Sequence, residues 1–396
     1  MKKIQFTPWP FFDKEIISAV NDLLTSGKVN QWTGNEVYAF EEEYARYLGV
    51  KHAIAMANGS VTMDVALRVL GVRSGDEVVV TSRSFVASAS CVALTGALPV
   101  FADVDVNSGN ITADTIQTVL TKKTKAVIVV HLAGWPCEMD SIVKLCRKNN
   151  IYLIEDCAQA HGAKYNGKPV GTFGHFASFS FCQDKIFTTG GEGGLLVTND
   201  RTLWKKAWGL KDHGRDFDVV FNRKSSTGFK WMVNSFGTNY RMTAIQAAIG
   251  RIMLRRLDGW VSIRRSFARH LNKELRGLEG IQITEPSKEF FHAYYKYYVY
   301  IRPEVLVKGW NRDRILAELS EAGIPCGVGA CPEIYREKAF INFRKHLGLI
   351  DQEFKPVAQR LGETSMMFLV HPTLTMEHMN FTIKILKNIL SKATKS

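Results

Sequence analysis

Between residues 53 and 155 the sequence alternates short apolar runs with longer amphipathic stretches, and few folds accept that rhythm. Ala53–Ala57, Glu77–Thr81, Pro99–Asp103, Lys125–His131 and Tyr152–Glu155 read as strands. Val61–Leu70, Phe85–Leu94, Ala113–Leu120 and Asp140–Asn149 between them carry helical spacing. Such βαβ repetition predicts an α/β fold around a parallel sheet. Helices are predicted ahead of it over Asp13–Leu24 and Glu36–Leu48. After Gly194 the rhythm changes. A strand over Leu195–Thr198 is followed by a helix from Thr243 to about Leu257, an aromatic strand over Ala293–Ile301, and helices over Arg312–Ala322 and Met376–Leu390. A chain of 396 residues exceeds one ordinary core. The reading is a large domain over 1–250 and a smaller one over 251–396.

Several classes are set aside. Ser84–Ala102, the longest weakly polar stretch, holds four Ser/Thr residues and Pro99, and reads as buried α/β structure rather than a membrane span. Met1-Lys2-Lys3-Ile4 has charge but no apolar run behind it, so no leader and a cytoplasmic location are expected. The seven cysteines lack metal spacing, which predicts reduced, mostly buried thiols and no metal. A formal charge of +13 favours anionic partners. The basic residues are dispersed without a nucleic-acid motif, so an anionic cofactor and substrate suit the sign as well as nucleic acid does.

Three segments fall at strand ends, where open α/β sheets bind ligands. In Asn58-Gly59-Ser60-Val61-Thr62, glycine permits close backbone approach, Ser60 can cap the helix, and free N–H groups suit a phosphate; a plain cap is the alternative. The strand before Glu155-Asp156 ends in two acids, which can hold a cationic ring nitrogen or cap the next turn. Lys185 lies between the apolar run Phe176–Phe181 and the turn Gly190-Gly191-Glu192-Gly193-Gly194. A lysine in an apolar setting more readily becomes a nucleophile; the alternative is a surface lysine. Lysine, acid and phosphate donors together are what pyridoxal 5′-phosphate (PLP) needs.

With these residues in place, the sequence resembles the DegT/DnrJ/EryC1/StrS sugar aminotransferases, of PLP-transferase fold type I. The resemblance runs from about Gly34 to the C-terminus. It rests on Asn58-Gly59-Ser60, Ser84-Phe85-Val86-Ala87, Pro99–Asp105, Glu155–Gly162, Ser178–Lys185 with Glu192-Gly193-Gly194, and Gly237–Met242. It implies a mostly parallel seven-stranded sheet sandwiched by helices, plus a smaller C-terminal α+β domain. Lys185 would carry PLP as a Schiff base and shuttle the proton, with pyridoxamine 5′-phosphate (PMP) as the intermediate form. Asp156 would keep the pyridine nitrogen protonated. Gln159 would contact the cofactor's face or 3′-oxygen, and Phe85 would stack on its ring unless it only packs in the core. Ser60, the Val61 N–H and Ser180 would hold the phosphate. Asn239 would reach the partner's phosphate across a homodimer with shared sites. His161 reads at least as well as a structural histidine, and His213, in a loop after a helix, could touch substrate or equally be a helix end.

The resemblance implies transfer of an amino group from glutamate to a nucleotide-linked keto sugar, of the 4-keto-6-deoxyhexose type, for polysaccharide or natural-product amino sugars. No nucleic-acid or membrane partner is expected. Alternatives are a PLP-dependent sugar dehydratase, an aminocyclitol or aminobenzoate-type synthase, and a regulatory protein on the same scaffold. One departure stands out: Gly323–Cys331 lacks the His-Tyr pair that many members carry after a Gly-Ile-Pro turn.

Overall fold

The computed structural model describes residues 4–222, 232–350 and 353–394; Met1–Lys3, part of the stretch read against a leader, lie outside them. Seven strands build the central sheet: β1 (His52–Met56), β2 (Glu77–Thr81), β3 (Leu98–Ala102), β4 (Thr124–Val130), β5 (Tyr152–Asp156), β6 (Phe176–Ser180) and β7 (Gly194–Thr198). Their order is β1-β7-β6-β5-β4-β2-β3. All pairings from β6 to β3 are parallel, and β7 runs antiparallel to both neighbours. The expected seven-stranded, mostly parallel sheet is therefore present.

The strands are apolar on both faces because both faces are covered. Val78, Val80, Ile128 and Ile154 enter one core cluster, while Val79, Val127, Val129 and Leu153, which alternate with them, enter another. Strand order turns beside β2, which has β3 on one side and β4 on the other. Crevices at the carboxyl ends of strands open at such a point.

The helix predicted to stop near Leu257 runs over Ala244–Leu275. Its start is a reciprocal cap, with Thr243 Oγ1 accepting from the Gln246 N–H at 3.3 Å and Gln246 Oε1 accepting from the Thr243 N–H at 2.9 Å. Residues up to Val261 pack into the core against the sheet, and residues from Phe267 onward pack into a second core with Tyr297, Val299, Met366 and Phe368. Residue 250 lies inside this helix, and the change of partners comes between Val261 and Phe267.

The second core backs an antiparallel sheet of Ile281–Gln282, Tyr297–Ile301, Ser365–Phe368 and Cys326–Gly327, in that order. The helices Arg312–Glu321 and Met376–Ala393 pack on it. The strand predicted over 293–301 begins only at Tyr297, because Tyr294 sits at φ 49°, outside the extended region. Helices over Arg201–Lys211, Lys338–His346 and Pro356–Thr364 were not predicted. All seven cysteines are free, four of them buried. Among the described residues no helix is long and apolar enough to cross a membrane.

Candidate active site

The pleat of β5 sends its last two acids to opposite faces. Glu155 is fully buried. It accepts from the Gly171, Phe173 and Gly174 N–H groups at 2.7–2.8 Å and pairs with His131 Nε2 at 3.2 Å. It is the acid that organises a loop. Replacing Glu155 with alanine would leave three N–H groups and an imidazole unpaired in the core, and is expected to cost about 3–5 kcal/mol of stability by urea denaturation. His131, Glu155 and Cys157 offer ligand atoms within 4.8 Å of one another. The His131 nitrogens, however, are taken up by Glu155 and by the Cys137 N–H.

Asp156 lies on the other face. Its Oδ2 accepts from Ser88 Oγ at 2.7 Å and its Oδ1 from the Ala158 N–H at 3.1 Å. Ser88 Oγ is in turn 3.1 Å from Ser84 Oγ. Asp156 thus caps its own turn, yet two bonds leave a carboxylate further acceptor capacity. Ser88 escaped the sequence reading. Its signal was a polar residue four positions after Ser84, on the same side of the turn that opens the helix Ala87–Leu94.

Two details at the start of the helix Gly59–Val69 differ from the sequence expectation. The cap of the helix Gly59–Val69 is Asn58, not Ser60, which is exposed. The Val61 N–H, expected to face a phosphate, donates to Asn58 Oδ1 at 3.1 Å. The donors left at this helix start are the Gly59 and Ser60 N–H groups, which have no carbonyl to bond within the helix. Gly59 lies against Ser180: a Cβ built on it would sit 2.7 Å from Ser180 Cβ. Behind them, a Cβ on Gly194 would sit 2.2 Å from the Asn58 carbonyl oxygen. Gly59→Ala is expected to push the helix start off Ser180 and to cost about 1–3 kcal/mol by urea denaturation.

Lys185 lies in the turn after β6, between the buried Phe181 and the buried Ile186 and Phe187. Its N–H donates to the Cys182 carbonyl at 3.1 Å, and its own carbonyl accepts from Trp9 Nε1 at 2.8 Å. The side chain is 15% exposed, so it is not a solvated surface lysine. Nζ lies 5.1 Å from the Tyr295 ring centre and 3.8 Å from Asp184 Oδ1.

The remaining expected residues have the following surroundings. Gln159 Oε1 accepts from the Ala133 N–H at 2.8 Å, leaving the amide NH2 as its free donor. Phe85 is 64% exposed, so it is not a core residue. Asn239 is exposed, on a stretch tied by the Arg241–Asp212 ion pair at 2.6 Å. His161 is structural. It is buried between Tyr44 Oη at 2.7 Å and the Ser180 carbonyl at 2.8 Å, and burial depresses its pKa to about 3. His213 follows the helix Arg201–Lys211 at φ 59°.

The departure at Gly323–Cys331 has a steric explanation. A Cβ on Gly329 would lie 2.1 Å from Tyr298 Oη, which accepts from the Ala330 N–H at 2.9 Å. Tyr298 therefore fills the space that a side chain at 329 would need. The adjoining Cys331 carbonyl accepts from the Ser84 N–H at 3.2 Å, which ties this segment to the site.

The sequence profile of the DegT/DnrJ/EryC1/StrS aminotransferase family matches residues 10–387. The aminotransferase from Psychrobacter cryohalolentis has a similar structure, with 47% identity and a TM-score of 0.94, over 98% of this chain and 99% of that one. GDP-perosamine synthase of Escherichia coli O157:H7 is 39% identical over 70% of this chain and 72% of its own length. Spr1654 from Streptococcus pneumoniae, solved in a PMP form and a PLP form, is 25% identical in both. Its TM-scores are 0.87 and 0.86, over 98% and 99% of this chain and 99% of each of those chains. Fold, strand-end residues and these likenesses agree: the chain belongs to the DegT/DnrJ/EryC1/StrS aminotransferase family.

Proposed function

We propose that this enzyme moves an amino group from glutamate to a nucleotide-linked keto sugar, using PLP joined to Lys185. The carrying observation is that an acid, a hydroxyl and an amine follow the carboxyl ends of two neighbouring central strands. Asp156 ends β5. Ser180 ends β6 against Gly59, at the helix start whose Gly59 and Ser60 N–H groups have no helical carbonyl to bond. The shielded Lys185 amine follows in the turn after β6. These residues fit the cofactor: an anionic phosphate suits two helix-start N–H groups beside a serine hydroxyl, and a ring cation suits the carboxylate fixed by Ser88. The close glycine approach leaves no room for a side chain where the phosphate would be cradled.

When bound, PLP supplies an electrophilic aldehyde and an electron-accepting ring. Lys185 would hold it covalently and then move the substrate proton as base and acid. Asp156 would hold a proton on the ring nitrogen through its charge. The Gln159 amide would donate to the ring oxygen, and the exposed Phe85 would cover the ring face. Asn239, with the exposed Phe236 and Val233 nearby, would meet a second copy in a homodimer.

The name of the E. coli relative supports a nucleotide-sugar acceptor, and the net charge of +13 suits a diphosphate. A dehydratase is the weaker reading, since the resemblance associates that reaction with histidine in place of the lysine. The test is to incubate the PLP-loaded enzyme with glutamate and a panel of UDP-, dTDP- and GDP-keto sugars and read product mass. An amino sugar supports the proposal. A deoxy sugar, an aminated cyclitol alone, or no product with salt-dependent DNA binding overturns it.

A further inference from the structure

We infer that Asp184 and Tyr295 form a resting place for the Lys185 amine when it is released from the cofactor, and that Lys296 takes over Asp184 when the amine leaves. The inference rests on the reading of Lys185 as the PLP lysine. That role requires the amine in two states: joined to the aldehyde carbon, and free while the cofactor carries the transferred amino group.

The surroundings of the Lys185 amine are specific. Lys185 Nζ is 3.8 Å from Asp184 Oδ1, and Lys296 Nζ is 3.7 Å from Asp184 Oδ2. The two ammonium groups therefore share one carboxylate, one at each oxygen. Tyr295 Oη donates to Asp184 Oδ2 and fixes the carboxylate's orientation. Both ammonium groups also lie over the Tyr295 ring, at 5.1 Å for Lys185 and 4.8 Å for Lys296. Partial burial of the half-exposed Asp184 works against its charge, yet Lys185, Tyr295 and Lys296 hold its pKa below the ordinary carboxylate range. The buried Arg264 adds positive charge nearby without bonding Asp184; its Nη1 donates to the Tyr295 carbonyl at 3.2 Å.

Two cations on one anion are mildly overcrowded, and each loses some of the carboxylate's attraction to the other. Removal of Lys185 lets Lys296 have Asp184 alone, so Asp184 is never left unpaired. Joining Lys185 to the aldehyde releases one proton from the ammonium to solvent and one water. A C=N bond replaces C=O and no electrons are lost. Asp184 stabilises the starting ammonium and so opposes this step. Lys296 weakens that hold and compensates Asp184 afterwards, so it favours the step.

The two residues therefore have opposite effects on one measurable quantity, the ratio of dissociation constants Kd(PMP)/Kd(PLP). With PMP the lysine stays free, so effects common to both cofactors cancel in the ratio. Full-length enzyme loaded with each cofactor would be diluted stepwise, and retained cofactor read by absorbance. Asp184→Asn is expected to raise the ratio about three- to tenfold, and Lys296→Met to lower it by a similar factor. Tyr295→Phe should follow Asp184→Asn with a smaller change. Retained PMP binding shows that each variant is folded. Shifts of the same sign in Asp184→Asn and Lys296→Met, or a ratio unchanged in either, would overturn the inference. Absence of Schiff-base absorbance in the unmodified PLP-loaded enzyme would instead sink the Lys185 reading.

Discussion

Lys185→Ala is expected to lower kcat/KM by about four to six orders of magnitude, since one side chain serves as covalent anchor, base and acid. The loss should not come from misfolding. The amine makes no close hydrogen bond, and its nearest charged partner, Asp184, keeps Lys296. The turn itself is held by main-chain groups: the Lys185 N–H on Cys182 and the Lys185 carbonyl under Trp9. The variant should therefore melt within a few degrees of the parent while showing no visible Schiff-base absorbance. Turnover near the parent level would refute the assignment of Lys185, whatever the identity of the sugar.

Asp156→Asn is expected to lower kcat about 10²–10³-fold, in line with the loss of one preorganised electrostatic partner in a sheltered site. The asparagine oxygen can still accept from Ser88 or Ala158, so the local geometry survives and the charge is what goes. Steady-state kinetics alongside the visible spectrum would check this. The Schiff base should still form, because Lys185 is intact, while proton removal from the substrate slows. Equal kcat in Asp156→Asn and parent would remove Asp156 from the mechanism. Ser88→Ala, which frees one carboxylate oxygen without changing charge, should have a much smaller effect.

The alternation that predicted an α/β sheet is local information: apolar runs of strand length and helical spacing depend on neighbours a few residues away. Glu77–Thr81 and Glu36–Leu48 were therefore predicted with the bounds they have. Lys185 was legible because one lysine stood between an apolar strand and a glycine turn, and Asp156 because it ended a strand. Boundaries set by distant packing were less legible. The long helix passes Leu257 because its second half is buried by Tyr297, Val299 and Met366, which lie elsewhere in the sequence.

By itself, the sequence determined the layered fold and which residues end the strands, since hydrophobic period and turn chemistry are properties of the local chain. Tertiary structure decided how those residues are used. The pleat set Glu155 on the loop N–H groups and Asp156 on Ser88, Asn58 claimed the Val61 N–H, and Gly59 came to rest on Ser180. Tyr295 meets Asp184 across 111 positions of sequence, a contact no local pattern encodes because only the packing of the second core against the first creates it.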